Sequence, residues 1–199
     1  MTKRSEEKRI VMLMQWTGVT KELYEKAREQ VNWEGEVPKG AVLHIATFDD
    51  KGARVTDVWK SERDFNDFVQ NRLMAVTKEL IDVEPDVEVY PLHNLFIPER
   101  RGEGLNTRIV LLLKWEGFTK EMYEEGRKQV DFEGDVPEGL VLHIVTFDDK
   151  GIRVSDIWES EEDFNNYTRE RLMPVIGKMT ETEPVIEVYP LHALFIPGV

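Results

Sequence analysis

His44 and Asp57 stand on either side of "DDKG" at residues 49–52, and His143 and Asp156 repeat the arrangement around "DDKG" at residues 148–151. The runs "AVLHIATF" and "ARVTDVW" alternate on each side of the first turn. A hairpin closing on Asp50 and Lys51 therefore sets His44 across from Asp57, Val42 from Trp59 and Ala46 from Val55, all on one face. A turn with an odd number of loop residues would put Asp57 on the other face. An imidazole hydrogen-bonded to a carboxylate is held in one tautomer and can move a proton in a bound molecule. The same pair can equally be two polar groups satisfying each other in a half-buried sheet.

Other candidates surround this pair. Trp59 and Trp158 end their strands just before a helix cap, where each is either a cavity wall or a plug in the core. Phe68 and Tyr167 follow along the next helix. His93 and His192 lie in "YPLHNLF" and "YPLHALF", just past a proline. No two histidines are within a turn of each other, no "HExxH" is present, and no carboxylates have loop-ligand spacing, so no metal is expected. No phosphate loop, nucleophile elbow or dinucleotide fingerprint is present, and no cofactor is expected. With no cysteine, disulfides, thiolate sites and cysteine nucleophiles are excluded. A net charge of −13 argues against nucleic acid and anionic lipid as partners. No run is long and apolar enough to span a membrane, and "MTKRSEEKRI" lacks the apolar core of a leader, so a cytoplasmic protein is expected.

The elements that must position these residues are written twice. Shifted by 99 residues, 9–98 aligns with 108–197 without a gap, with about 54 identities in 90 positions, the mark of a tandem duplication. This predicts a lobe at 1–98, a charged, glycine-containing linker "ERRGEGLNT" at 99–107, and a second lobe at 108–199. Within a lobe, "RIVMLMQW" reads as a strand, and Thr20 caps a helix carrying Leu23, Tyr24, Ala27 and Val31 on one side until Gly35 and Pro38 stop it. The hairpin follows, then a helix opened by Ser61 with Asp64, then "DVEVYPLHNLF", a strand that Pro91 bends or ends. The sum is β-α-β-β-α-β, an α+β lobe of ferredoxin-like order. Each sheet has one face free of helices, and a second like sheet is its simplest cover. An intramolecular pseudo-dimer of facing sheets is therefore expected, with further oligomerisation left open.

The frames "VWKSERDF" and "IWESEEDF", with the longer pattern "LHIATFDDKGARVTDVWKSERDF…RLMAV…VYPLHNLF", resemble the dimeric α/β-barrel superfamily, in its antibiotic-biosynthesis-monooxygenase-like branch. The resemblance covers both lobes. It implies a ligand cavity between sheet and helices, on the face carrying Trp59 and Trp158, with the segment holding His93 or His192 closing the other lobe's cavity. Haem-degrading relatives carry an axial histidine late in the second helix; Lys78 and Gly177 stand near those positions here, which argues against haem. Two function classes follow. One is an enzyme on a hydrophobic, aromatic small molecule, a cofactor-free monooxygenase or a proton-transferring isomerase or cyclase. In it His44, Asp57, His143 and Asp156 are catalytic, and Trp59, Trp158, Phe68, Tyr167, His93 and His192 bind substrate. The other is a non-catalytic binding or scaffold protein with closed pockets. A connected apolar cavity of about 300 Å³ or more reaching His44 or His143 would favour the first.

The lobes also differ in ways that alter volume. Ala46 becomes Val145, Met12 and Met14 become Leu111 and Leu113, and Lys78 becomes Gly177, so the two cavities are expected to differ in size. Ala75 becomes Pro174, which is expected to kink or end the second lobe's helix.

Overall fold

The apolar run at the start of the repeat forms strand β1 (Ile10–Thr17), followed by α1 (Lys21–Val31), β2 (Ala41–Phe48), β3 (Gly52–Trp59), α2 (Glu62–Phe68), a π-helical turn (Val69–Leu73), α3 (Met74–Leu80) and β4 (Asp86–Phe96). The second copy gives β5 (Ile109–Glu116), α4 (Lys120–Val130), β6 (Leu140–Phe147), β7 (Gly151–Trp158), α5 (Glu161–Tyr167), a π-helical turn (Thr168–Leu172), α6 (Met173–Ile176), β8 (Val185–Pro190) and β9 (Ala193–Phe195). These come from a computed structural model that describes residues 8–99 and 107–198, so most of the expected linker, 100–106, lies outside the described residues. By contacts the chain divides into two units. The first runs up to Leu92 and takes in the segment from His192; the second is His93–Leu191.

In the first unit the strands lie in the order β4–β1–β3–β2–β9, each pair antiparallel. In the second the order is β8–β5–β7–β6–β4, where β4 belongs to the unit from His93 onward. Each unit is thus an α+β, ferredoxin-like sheet extended by one strand. Thr20 and Ser61 cap α1 and α2 as their sequence predicts, accepting from the amides of Leu23 (3.3 Å) and Asp64 (3.1 Å).

Three local expectations need correction. Helix α1 stops at Asn32, in the left-handed conformation at φ 52°, before Gly35 or Pro38 is reached; Asp131 does the same at φ 51° in the second unit. Pro91 does not end β4. The Leu92 amide donates to the Arg9 carbonyl (2.9 Å), so by the alternation of a strand the nitrogen of Pro91 faces away from β1, and the pairing with β1 loses no donor there. Pro174 does not break its helix either. It sits in the first turn of α6, where proline is tolerated, and the helix gives way at Gly177 instead, three residues short of its counterpart in the first unit (Leu80 corresponds to Met179, against an end at Ile176).

The hairpin turn is held by one carboxylate. Asp49 Oδ1 accepts from the amides of Lys51 and Gly52 (both 2.9 Å), and Oδ2 accepts from Arg54 Nε (2.6 Å). Burial alone would raise the pKa of Asp49, but the Arg54 guanidinium and the two amides outweigh it and hold the carboxyl below its usual range. Asp148 repeats this with Lys150, Gly151 and Arg153. A depressed folded-state pKa gives stability that is present above the unfolded value of about 3.9 and is lost as pH falls through the folded one. Asp49→Asn should therefore cost about 1.5–3 kcal/mol at neutral pH, as charge-assisted hydrogen bonds are lost. Urea unfolding as a function of pH checks this: the gap between variant and parent should close on acidification, as the pH falls from the unfolded value through the lower folded one.

Candidate functional site

The two-residue turn sets the register, and the register brings His44 opposite Asp57, with Ala46 opposite Val55. Trp59 faces Ala41 rather than Val42, because a bulge between Ala41 and Leu43 inserts one residue into β2. His44 Nδ1 lies 2.7 Å from Asp57 Oδ1, and His44 Nε2 lies 2.7 Å from the hydroxyl of Tyr24. In the neutral imidazole, Nδ1–H donates to the carboxylate and Nε2 accepts from the phenol. Tyr24 comes from the buried face of α1, with Ala27 and Val31. Burial pushes its phenol well above the ordinary range, Arg28 offsetting this only in part, so Tyr24 keeps its proton.

The second unit repeats the chain of contacts. His143 Nδ1 lies 2.7 Å from Asp156 Oδ1 and His143 Nε2 lies 3.1 Å from the Tyr123 hydroxyl. Here the phenol has a further partner, Asn94 Nδ2 at 2.9 Å. Burial again dominates and keeps Tyr123 protonated, with the Asn94 hydrogen bond acting in the opposite direction.

Each relay opens on an apolar cavity between sheet and helices. The first, about 120 Å³, is lined by Met12, Tyr24, Trp33, His44, Asp57 and Trp59 among others; the second, about 100 Å³, by Leu111, Tyr123, Phe132, His143, Asp156 and Trp158 among others. Both are smaller than the 300 Å³ set as a threshold from sequence, because the aromatic side chains fill much of the space. Trp33 comes within 5.0 Å of the His44 ring, and Trp59 within 5.2 Å of Phe68. In the second unit Trp158 packs 5.3 Å from Tyr167. A Cβ added to Gly126 would come within 2.5 Å of Ile176 Cδ1, so that isoleucine fills space beside the second cavity where the first unit has Ala27 and Thr77.

The structure thus brings His44 to Asp57 and His143 to Asp156, and sets Trp59, Trp158, Phe68 and Tyr167 in the cavity walls. The tryptophans are walls and core at once, with only 3% and 1% of their surfaces exposed. His93 and His192 line neither cavity. His192 bonds Glu25 (2.7 Å) and stands edge-on to Tyr24, and His93 bonds Glu124 (2.8 Å) and stands edge-on to Tyr123. Tyr24, Trp33 and Asn94 went unrecognised in the sequence. The available signal was a polar-tipped tyrosine on the buried side of a helix, written in both copies with the same histidine. Among the described residues no three His, Cys, Asp or Glu side chains gather as metal ligands, and no helix is long and apolar enough to cross a membrane.

No family model matches the chain, and no curated protein does. Solved structures do. A protein provisionally named a monooxygenase from Fusobacterium nucleatum superposes with a TM-score of 0.74 at 13% identity, covering 98% of this chain and 97% of that one. Another so named, from Lactobacillus acidophilus, gives 0.74 at 9% identity over 96% and 98%. A ferredoxin-fold protein related to antibiotic biosynthesis monooxygenases, from Listeria monocytogenes, gives 0.52 at 10% identity over 94% and 96%. The chain has the ferredoxin-like fold of these proteins. The likeness agrees with the dimeric α/β-barrel resemblance of the sequence, and at these identities it speaks for this fold alone.

Proposed function

We propose that the chain binds an apolar small molecule of about one-ring size in its cavities, and that a Tyr–His–Asp relay in the cavity wall moves a proton of that molecule. The observation that carries this is the apolar cavity, about 120 Å³, whose lining includes Tyr24, His44 and Asp57 together. A cavity of about 150 Å³ is known to take benzene, so at about 120 Å³ a single ring is the upper bound for the ligand and a fused polycycle does not fit. The buried indole nitrogens of Trp33 and Trp59 have no hydrogen-bond partner among the described residues, and both side chains line this cavity. A carbonyl or ether oxygen on the ligand would answer such donors.

Because burial keeps the phenol neutral, the relay works by shift rather than by a standing phenolate. The ligand's proton passes to the Tyr24 oxygen as the phenol's own proton passes to His44 Nε2, and Asp57 stabilises the imidazolium that forms. Proton abstraction opens both a cofactor-free oxygenation and an isomerisation, so this step fits either chemistry. The fold's monooxygenase-like neighbours support the first.

Cyclohexanone in heavy water tests the reading, since it has one ring, an acceptor oxygen and exchangeable α-hydrogens. The protein should accelerate deuterium uptake, and Tyr24→Phe should lower that acceleration by roughly 10²-fold, the low end for a positioned acid or base. Binding with no exchange would leave the binding half standing and make the protein the non-catalytic binder that the sequence also allowed.

A further inference from the structure

The relays of the two units differ at their outer end. In the first, the Tyr24 hydroxyl has one partner among the described residues, His44. In the second, the Tyr123 hydroxyl has two, His143 on one side and Asn94 Nδ2 on the other. The residue that corresponds to Asn94 in the repeat is Ala193, whose methyl group packs in the first unit's core and offers no donor. Asn94 sits on β4 where that strand belongs to the second unit, and Ala193 sits on β9 opposite Ala46 in the first. One residue type thus decides whether the oxygen of the relay tyrosine is spoken for.

A phenol oxygen donates one hydrogen bond and accepts another. Tyr24 spends its proton on His44 and keeps its acceptor for something in the cavity. Tyr123 spends its proton on His143 and its acceptor on an amide of this chain. A ligand proton can be handed to Tyr24, whereas at Tyr123 the amide stands where that proton would arrive.

We infer that Asn94 closes the second unit's relay, so that the first cavity alone takes a proton from its ligand and the second serves as a binding site without chemistry. This rests on the small-molecule reading above. The cavity walls carry the same division. The second unit has Phe132 where the first has the unpartnered indole of Trp33, and Tyr167 where the first has Phe68. The ligand that suits the first cavity presents an acidic O–H or C–H toward Tyr24 and an acceptor toward the indoles. The second cavity, where the indole of Trp158 is likewise unpartnered among the described residues, suits a ring that can carry an acceptor but has no proton to give to its relay.

The test compares 4-fluorophenol, which can donate to Tyr24, with 4-fluoroanisole and fluorobenzene, which cannot. The units report separately in one spectrum of the full chain, because Met12 and Met14 line the first cavity where Leu111 and Leu113 line the second. Methyl shifts of labelled methionine and leucine then give an affinity for each cavity. The phenol should bind the first cavity about tenfold more tightly than the anisole, and show no such preference in the second. Asn94→Ala should confer the preference on the second cavity, and Ala193→Asn should abolish it in the first; either variant tests the inference should the other fail to fold. If Asn94→Ala leaves the second cavity indifferent and Ala193→Asn leaves the first unchanged, Asn94 does not close the relay and the inference falls, while small-molecule binding stands. If Asn94→Ala weakens the phenol in the second cavity, the amide primes Tyr123 rather than blocking it, and the inference is reversed. Fluorobenzene binding to neither cavity would remove the small-molecule reading itself, and this inference with it.

Discussion

His44→Leu should destabilise the protein by about 3–5 kcal/mol, the cost of stranding a buried charge by removing its partner. Asp57 is 7% exposed, and its carboxylate sits 2.7 Å from the imidazole. Leucine fills much of the ring's volume but gives the carboxylate nothing to bond, and it leaves the Tyr24 hydroxyl without its acceptor as well. The double variant His44→Leu with Asp57→Leu should recover most of the loss, since two apolar side chains of fitting volume pack in place of the pair at little net cost. Chemical denaturation of the two single variants and the double gives the coupling directly. A coupling near zero would mean that solvent, not His44, satisfies Asp57. The double variant also separates stability from chemistry. It should fold and bind a ring while losing exchange of cyclohexanone, a separation that a merely structural pair would not produce.

Trp59→Ala and Trp158→Ala should each cost about 3–5 kcal/mol, the usual toll for removing a buried tryptophan. The milder Trp→Phe changes should cost far less than their loss of volume suggests. The indole nitrogens of Trp59 and Trp158 are buried with no hydrogen-bond partner among the described residues, so phenylalanine removes an unsatisfied donor along with the second ring. Thermal unfolding of all four variants measures this asymmetry. Binding adds a sharper contrast: Trp59→Phe should weaken a carbonyl-bearing ring in the first cavity and leave fluorobenzene nearly unaffected. Equal losses for both ligands would assign Trp59 to shape alone.

Much of this was legible in the residue order, for reasons that are local. A β-α-β-β-α-β lobe follows from hydrophobic periodicity and cap residues, and its doubling follows from a gapless repeat. The pairing of His44 with Asp57 was legible too, because a two-residue turn counts residues outward from itself and the pleat then settles which side chains share a face. The same counting failed two residues further on at Val42, since a bulge there inserts one residue that no pattern of alternation records. Pro91 and Pro174 were read as breaks because proline lacks a donor. Whether that matters depends on which side of a strand, or which turn of a helix, the missing N–H falls.

The site beyond the pair was decided only by tertiary structure. Tyr24 reads in sequence as a helix residue of the buried face, and nothing local says that its hydroxyl ends on a histidine twenty residues later. Asn94 is more distant still from Tyr123, and its meeting with that phenol depends on the tail of β4 joining the second unit. Cavity volume lies furthest from the sequence. It is a small difference between the space that sheet and helices enclose and the side chains that fill it, and shifts of an ångström in either can open or close room for one ring.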